Sequence, residues 1–103
     1  MPHFVLTYEL APDYLERRAA LRAEHLGLAW RAADNGVLLL GGAVGDPPES
    51  ALLVFESDGP EAAEAFARND PYVIDGLVTR WTVRPWTTVV GKAATAPVRP
   101  DRR

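Results

Sequence analysis

The chain has no cysteine in its 103 residues. That excludes disulfides, thiolate nucleophiles and zinc sites built on thiolates. It has only two histidines, His3 and His25. They do not stand at the i, i+4 spacing of a helical metal site, so no metal is assigned. No apolar run approaches the roughly 18 residues that span a bilayer. Met1-Pro2-His3 leads directly into a strand pattern instead of the basic and apolar regions of a signal peptide, so a cytoplasmic protein is expected. Cationic stretches are scarce as well: the net charge is −3 and the pI about 5.3. Arg99, Arg102 and Arg103 are interrupted by Asp101 and read as a solvated tail, not a nucleic-acid arm. Neither nucleic acid nor membrane is expected as a partner. Gly41-Gly42-Ala43-Val44-Gly45 follows a strand but precedes no helix, so it lacks the helix N-terminus that would cradle a phosphate or dinucleotide. It reads as a strand end, and no cofactor is assigned. Ser50, Ser57 and the threonines form no nucleophile elbow.

What remains is an ordinary globular composition, 48% hydrophobic and 24% charged, of the size of one domain. From His3 to Leu10, Phe4, Leu6, Tyr8 and Leu10 alternate with His3, Val5, Thr7 and Glu9, the period of a strand with one strongly apolar face. Asp13 and Glu16 have the spacing of a capping box, predicting a helix over Tyr14–Asp34 that Asn35-Gly36 ends. Val37–Gly42 is an apolar run that Gly41 and Gly42 close, too short for a helix, and is expected as a strand. Gly45–Ser50, with Asp46-Pro47-Pro48, is a turn. Ala51–Ser57 is the next strand. Asp58 and Glu61 repeat the capping signal, with Pro60 in the first turn of a helix over Pro60–Asn69 that Pro71 stops. Leu77–Trp86 is the last strand, and residues 93–103 a flexible tail after a domain over residues 1–92.

Strand, helix, strand, strand, helix, strand is the ferredoxin-like βαββαβ order. It is an α+β fold, with two helices on one face of an antiparallel sheet. Leu38, Leu39, Leu40, Leu52, Leu53 and Val54 make the second and third strands apolar on both sides, whereas a sheet face in water would alternate. A second copy of the chain is the simplest cover for the free face, so a homodimer is expected.

His25 lies mid-helix, on a stripe with Leu21 and Leu28 and three residues after Arg22. It reads either as a satisfied histidine at the edge of the core or as a general base. His3, at the start of a strand, is the weaker candidate. Asp70 ends the second helix. It reads either as a turn aspartate accepting backbone N–H bonds or as the partner of a nearby cation, because a negative charge at a helix C-terminus is unfavourable. If Asp70 meets His25, the carboxylate fixes the imidazole tautomer and makes it a usable acid or base. Trp30, Trp81, Trp86, Tyr8 and Tyr72 are expected in the core, in a dimer contact or along a ligand pocket.

Several segments together resemble the YciI-like (YCII-related) family. They are Arg22-Ala23-Glu24-His25-Leu26, Gly36-Val37-Leu38-Leu39-Leu40-Gly41-Gly42, Phe55-Glu56-Ser57 leading through Glu61-Ala62-Ala63 to Asn69-Asp70-Pro71-Tyr72-Val73 and Gly76-Leu77, and Val83-Arg84-Pro85-Trp86. The resemblance runs from the first strand to about Val90 in the family's order. It implies a dimeric α+β barrel in which two sheets pack face to face. It also implies a His–Asp site in a cleft of each subunit, falling on His25 and Asp70. Arg22, placed to hold an anionic group, Tyr72 and Gly42 are expected at the substrate. Members often have Gly-Pro where this chain has Gly42-Ala43, a change expected to act through the loop Ala43–Ser50 as one wall of the cleft. The expectation is a cofactor-free small-molecule enzyme of lyase or isomerase type, with a non-catalytic ligand-binding or accessory homodimer as the alternative.

Overall fold

In the computed structural model, which describes residues 1–100, the order is β1 (His3–Leu10), α1 (Tyr14–Asp34), β2 (Leu38–Val44), β3 (Ser50–Glu56), α2 (Glu61–Asn69), α3 (Pro71–Ile74) and β4 (Val78–Trp86). The four strands form one antiparallel sheet in the order β2-β3-β1-β4. This is the ferredoxin-like α+β topology. β1 is central because its even residues supply the apolar face: Phe4, Leu6 and Tyr8 are all buried. Register sets Leu53 opposite Leu6 and Phe55 opposite Phe4, which puts both on that same face. Phe66, Ala63 and Ala67 of α2 close over them. Among the described residues, no helix is long and apolar enough to cross a membrane.

Three local expectations need correction. The capping boxes do not form: neither Asp13 nor the start of α2 makes a side-chain cap bond. The Asp13 carboxylate faces Arg17 at 3.5 Å instead, an i, i+4 pair that competes for the same oxygens. Gly41 and Gly42 do not close β2, which continues to Val44 by pairing with β3 through Leu52, Ala51 and Ser50. Backbone bonding to β3 outweighs the weak strand preference of glycine. Finally, Asp70 does not leave its charge at a bare helix C-terminus. It is also the N-cap of the short α3, where its side chain accepts from the Tyr72 backbone N–H and Pro71 fills the first position.

Beyond β4 the chain turns at Gly91, whose φ is +110°. The Ala96 and Val98 amides then bond back to the carbonyls of Thr88 and Val89 at 3.0 and 2.9 Å. Thr88 also reaches His3, its hydroxyl 2.8 Å from Nδ1. The segment expected as a tail is thus hydrogen-bonded as far as Val98; residues 101–103, including the expected basic end at Arg102 and Arg103, lie outside the described residues.

The face of the sheet away from the helices carries Leu40, Val54 and Val5 in one cross-strand row and Gly42, Leu52 and Thr7 in the next. Leu40 is 73% exposed and Leu52 42%. Apolar residues at the centre of a sheet face are the unusual feature, because a face in water would be polar there.

Candidate active site

The site is built around a fully buried carboxylate. Asp70 sits where α2 ends and α3 begins, and its relative exposure is 0%. A charge there is tolerated only if its oxygens are filled. Oδ2 accepts the Tyr8 hydroxyl at 2.7 Å, and Oδ1 accepts the Tyr72 backbone N–H at 3.0 Å. The third partner is His25, whose Nδ1 lies 2.8 Å from Oδ1. Since the carboxylate can only accept, Nδ1 carries the proton, and in the neutral ring Nε2 holds the free lone pair. Among the described residues Nε2 has no protein partner, and His25 lines the cavity beside α1.

The imidazole is held by more than one bond. Tyr72 stacks flat against it, with ring centroids 3.9 Å apart and planes 8° from parallel. Phe66 meets it edge-on at 6.5 Å, and Tyr14 stands edge-on to Tyr72 at 5.7 Å. Ring orientation is therefore set by a hydrogen bond and an aromatic face together, the arrangement a proton-transfer group needs.

The cavity measures about 340 Å³ and runs between α1 and β2. His25, Arg22, Tyr72 and Gly42 all line it, so the structure brings these sequence-expected residues to one place around Asp70. One wall is strand β2 itself, Leu38 to Ala43. The loop beyond Ala43 does not line it, which corrects the expectation of a loop wall: β2 runs on through the glycines, so the loop begins past the cavity's end. Trp30 and Tyr8 join the lining, whereas Trp81 and Trp86 do not. His3 lies outside the site, its side chain near Glu56 at 4.0 Å and against Thr88.

Sequence reasoning missed two residues of the site, Tyr14 and Arg18, and the bond that Tyr8 makes to Asp70. The Tyr8 hydroxyl was signalled only by the rule that a tyrosine on a buried strand face needs a partner for its OH. Tyr14 and Arg18 were signalled by spacing, since each stands four residues from the next on the stripe leading to Arg22 and His25. Arg18 lies over the Tyr14 ring at 5.5 Å.

Burial shifts two phenols. It drives the Tyr72 hydroxyl up to about 12, with Tyr14 and Asp70 adding to the rise and Arg22 and Arg18 opposing it. Tyr8 is raised further, far above the ordinary phenol range, first by burial and then by the Asp70 charge and its hydrogen bond. Both hydroxyls are thus donors at neutral pH. An unfolded chain loses these protons near 10.0, the ordinary phenol value, while the folded chain keeps them. Their contribution to stability is whole below that pH and is lost as pH rises toward and through the folded values. The buried Tyr8 phenol costs up to about 1.4 kcal/mol per pH unit in that window, and the Tyr72 phenol, at the solvent-reached cavity, costs less. Urea midpoints measured at about pH 9, 10 and 11 should fall steeply over the last interval. A midpoint that stays flat there would show that the two phenols ionise as freely as in the unfolded chain.

The YCII-related domain family matches the chain over residues 1–87. Protein YciI of Escherichia coli and Protein YciI of Shigella flexneri are each 30% identical to it over 95 residues, covering 84% of this chain and 97% of theirs. Among solved structures, it is similar to 5-chloro-2-hydroxyhydroquinone dehydrochlorinase (TftG) from Burkholderia phenoliruptrix, determined in complex with 2,5-dihydroxybenzoquinone. The TM-score is 0.69 at 21% identity, over 84% of this chain and 94% of that one. At that identity the likeness bears on the fold.

Proposed function

The chain belongs to the YCII-related domain family, and from that premise we propose that it is a cofactor-free small-molecule enzyme of lyase or isomerase type. The observation that carries the reading is the 2.8 Å bond from His25 Nδ1 to the buried Asp70 carboxylate, at the wall of a cavity that reaches the imidazole. In this reading His25 Nε2 takes a proton from carbon or oxygen of a small ring substrate. The electron pair left behind forms a new double bond, and either a leaving group departs as an anion or the proton returns elsewhere on the ring. Asp70 balances the imidazolium that forms in between. Arg22 holds an anionic group of the substrate, and the Gly42 backbone lines the β2 wall. The dehydrochlorinase that shares the fold supports elimination on a ring as the first chemistry to try.

The same proposal includes a homodimer formed through the open sheet faces, supported by the apolar rows at their centre. Turnover of a panel of hydroxylated, halogenated and lactone ring compounds, followed by absorbance and by release of halide, tests the enzymatic reading. Catalysed elimination or isomerisation of one class is expected. An inert protein that instead copurifies with a stoichiometric protein partner would leave the accessory-subunit alternative in its place.

A further inference from the structure

The proton-transfer reading gives Arg22 an anionic group to hold without naming it, and gives Arg18 no role. Arg18 and Arg22 stand one turn apart on α1, on the stripe that continues to His25, and all three line the cavity. Like charges at i, i+4 destabilise a helix. Neighbouring Arg17 is occupied, 3.5 Å from Asp13 and bonded to the Asp75 carbonyl at 2.6 Å. Arg18 and Arg22 have no carboxylate within salt-bridge distance among the described residues. In a chain of net charge −3, two guanidiniums without a carboxylate partner, Arg18 resting over the Tyr14 ring, form a local excess of positive charge at one cavity.

A third donor faces them. The Tyr72 ring lies between His25 and Tyr14, and its hydroxyl donates to no protein group among the described residues. Both arginines act electrostatically on that hydroxyl, which nonetheless keeps its proton. The remaining lining is flat or aliphatic: Tyr14, Trp30, Leu10 and Leu38. At about 340 Å³ the cavity is at the small end for ligand sites, with room for one substituted ring. Planar guanidinium forks match the planar oxygen pair of a carboxylate.

We infer that the site takes a flat monocyclic carboxylate, its carboxylate held by Arg18, Arg22 and the Tyr72 hydroxyl and its ring lying along Tyr14 toward His25. The inference rests on the proton-transfer reading only for which end of the substrate faces His25. Arg18 and Arg22 thus select the substrate by charge, and the aromatic wall selects it by shape.

Calorimetric titration at low salt with benzoate, its neutral isostere benzamide and its non-planar counterpart cyclohexanecarboxylate tests this without turnover. Benzoate should bind at least about tenfold more tightly than benzamide, and several-fold more tightly than cyclohexanecarboxylate. The double variant Arg18→Gln/Arg22→Gln should bring the benzoate-to-benzamide ratio close to one, weakening benzoate far more than benzamide. Arg17→Gln, which alters an occupied arginine on the same helix, should keep the wild-type ratio. Equal binding of benzoate and benzamide, no binding of benzoate at millimolar concentration, or a ratio that survives in the double variant overturns the inference. Tighter binding of inorganic phosphate than of benzoate overturns it too. The failures of the two readings are separable: a carboxylate preference in a protein that turns over no ring compound removes the catalytic reading alone. Turnover with no such preference removes this one alone.

Discussion

Replacing His25 with alanine is expected to lower turnover by roughly 10²- to 10⁴-fold, the range a positioned acid–base group contributes, in a protein that remains folded. The second half of that expectation follows from the site's construction. Asp70 is sealed from solvent and has three donors, of which His25 is one. Without the imidazole, Oδ2 keeps the Tyr8 hydroxyl and Oδ1 keeps the Tyr72 backbone N–H. The buried carboxylate is then short of one bond but not bare, a deficit of about 1–3 kcal/mol. His25 retains 16% side-chain exposure at the cavity wall, so its removal enlarges a space that already reaches water. A rate measured beside a thermal melt and a circular dichroism spectrum separates the two effects. Full activity in His25→Ala would remove the imidazole from the mechanism, and loss of activity with loss of the fold would point to Asp70 as a structural anchor.

The sheet could be read from sequence because its signal is periodic. The alternation in β1 gave the strand and its buried face, and Asn35-Gly36 gave the end of α1, with Gly36 in the left-handed region at φ +77°. The pairing of His25 with Asp70 was open to chemical argument but not to spacing, since 45 residues separate them and only the packing of α1 beside α3 closes the gap. A charge stranded at a helix end is only half of the setting of Asp70, which also caps the next helix. α3 is four residues long, too short for a periodic signal, and its N-terminus supplies the N–H that stabilises the carboxylate. Glycines that read as a strand stop became strand interior, because extended backbone at Gly41 and Gly42 is set by pairing with β3 and not by local preference. The Tyr8 hydroxyl reaches Asp70 across 62 residues of sequence, a contact that no local pattern encodes.

Substituting aspartate for Leu52 should convert the proposed dimer to a folded monomer. Leu52 lies at the centre of the open face, opposite Gly42 on one side and Thr7 on the other, and is not part of the buried core. In a lone chain it faces water, so a carboxylate there costs the monomer little. Between two sheets the same carboxylate is desolvated, and two-fold symmetry places it there twice. A penalty of several kcal/mol for an unpaired buried charge, counted in both copies, weakens association by about 10³-fold or more. Leu53, its neighbour in sequence, is only 4% exposed and packs under the helices. Leu53→Asp should therefore unfold the chain, a contrast that separates a lost interface from a lost core. Sedimentation at tens of micromolar, with circular dichroism on the same samples, reads both. A wild-type protein that already sediments as a monomer, or a Leu52→Asp variant that keeps the wild-type mass, would mean that something other than a second copy covers those apolar rows.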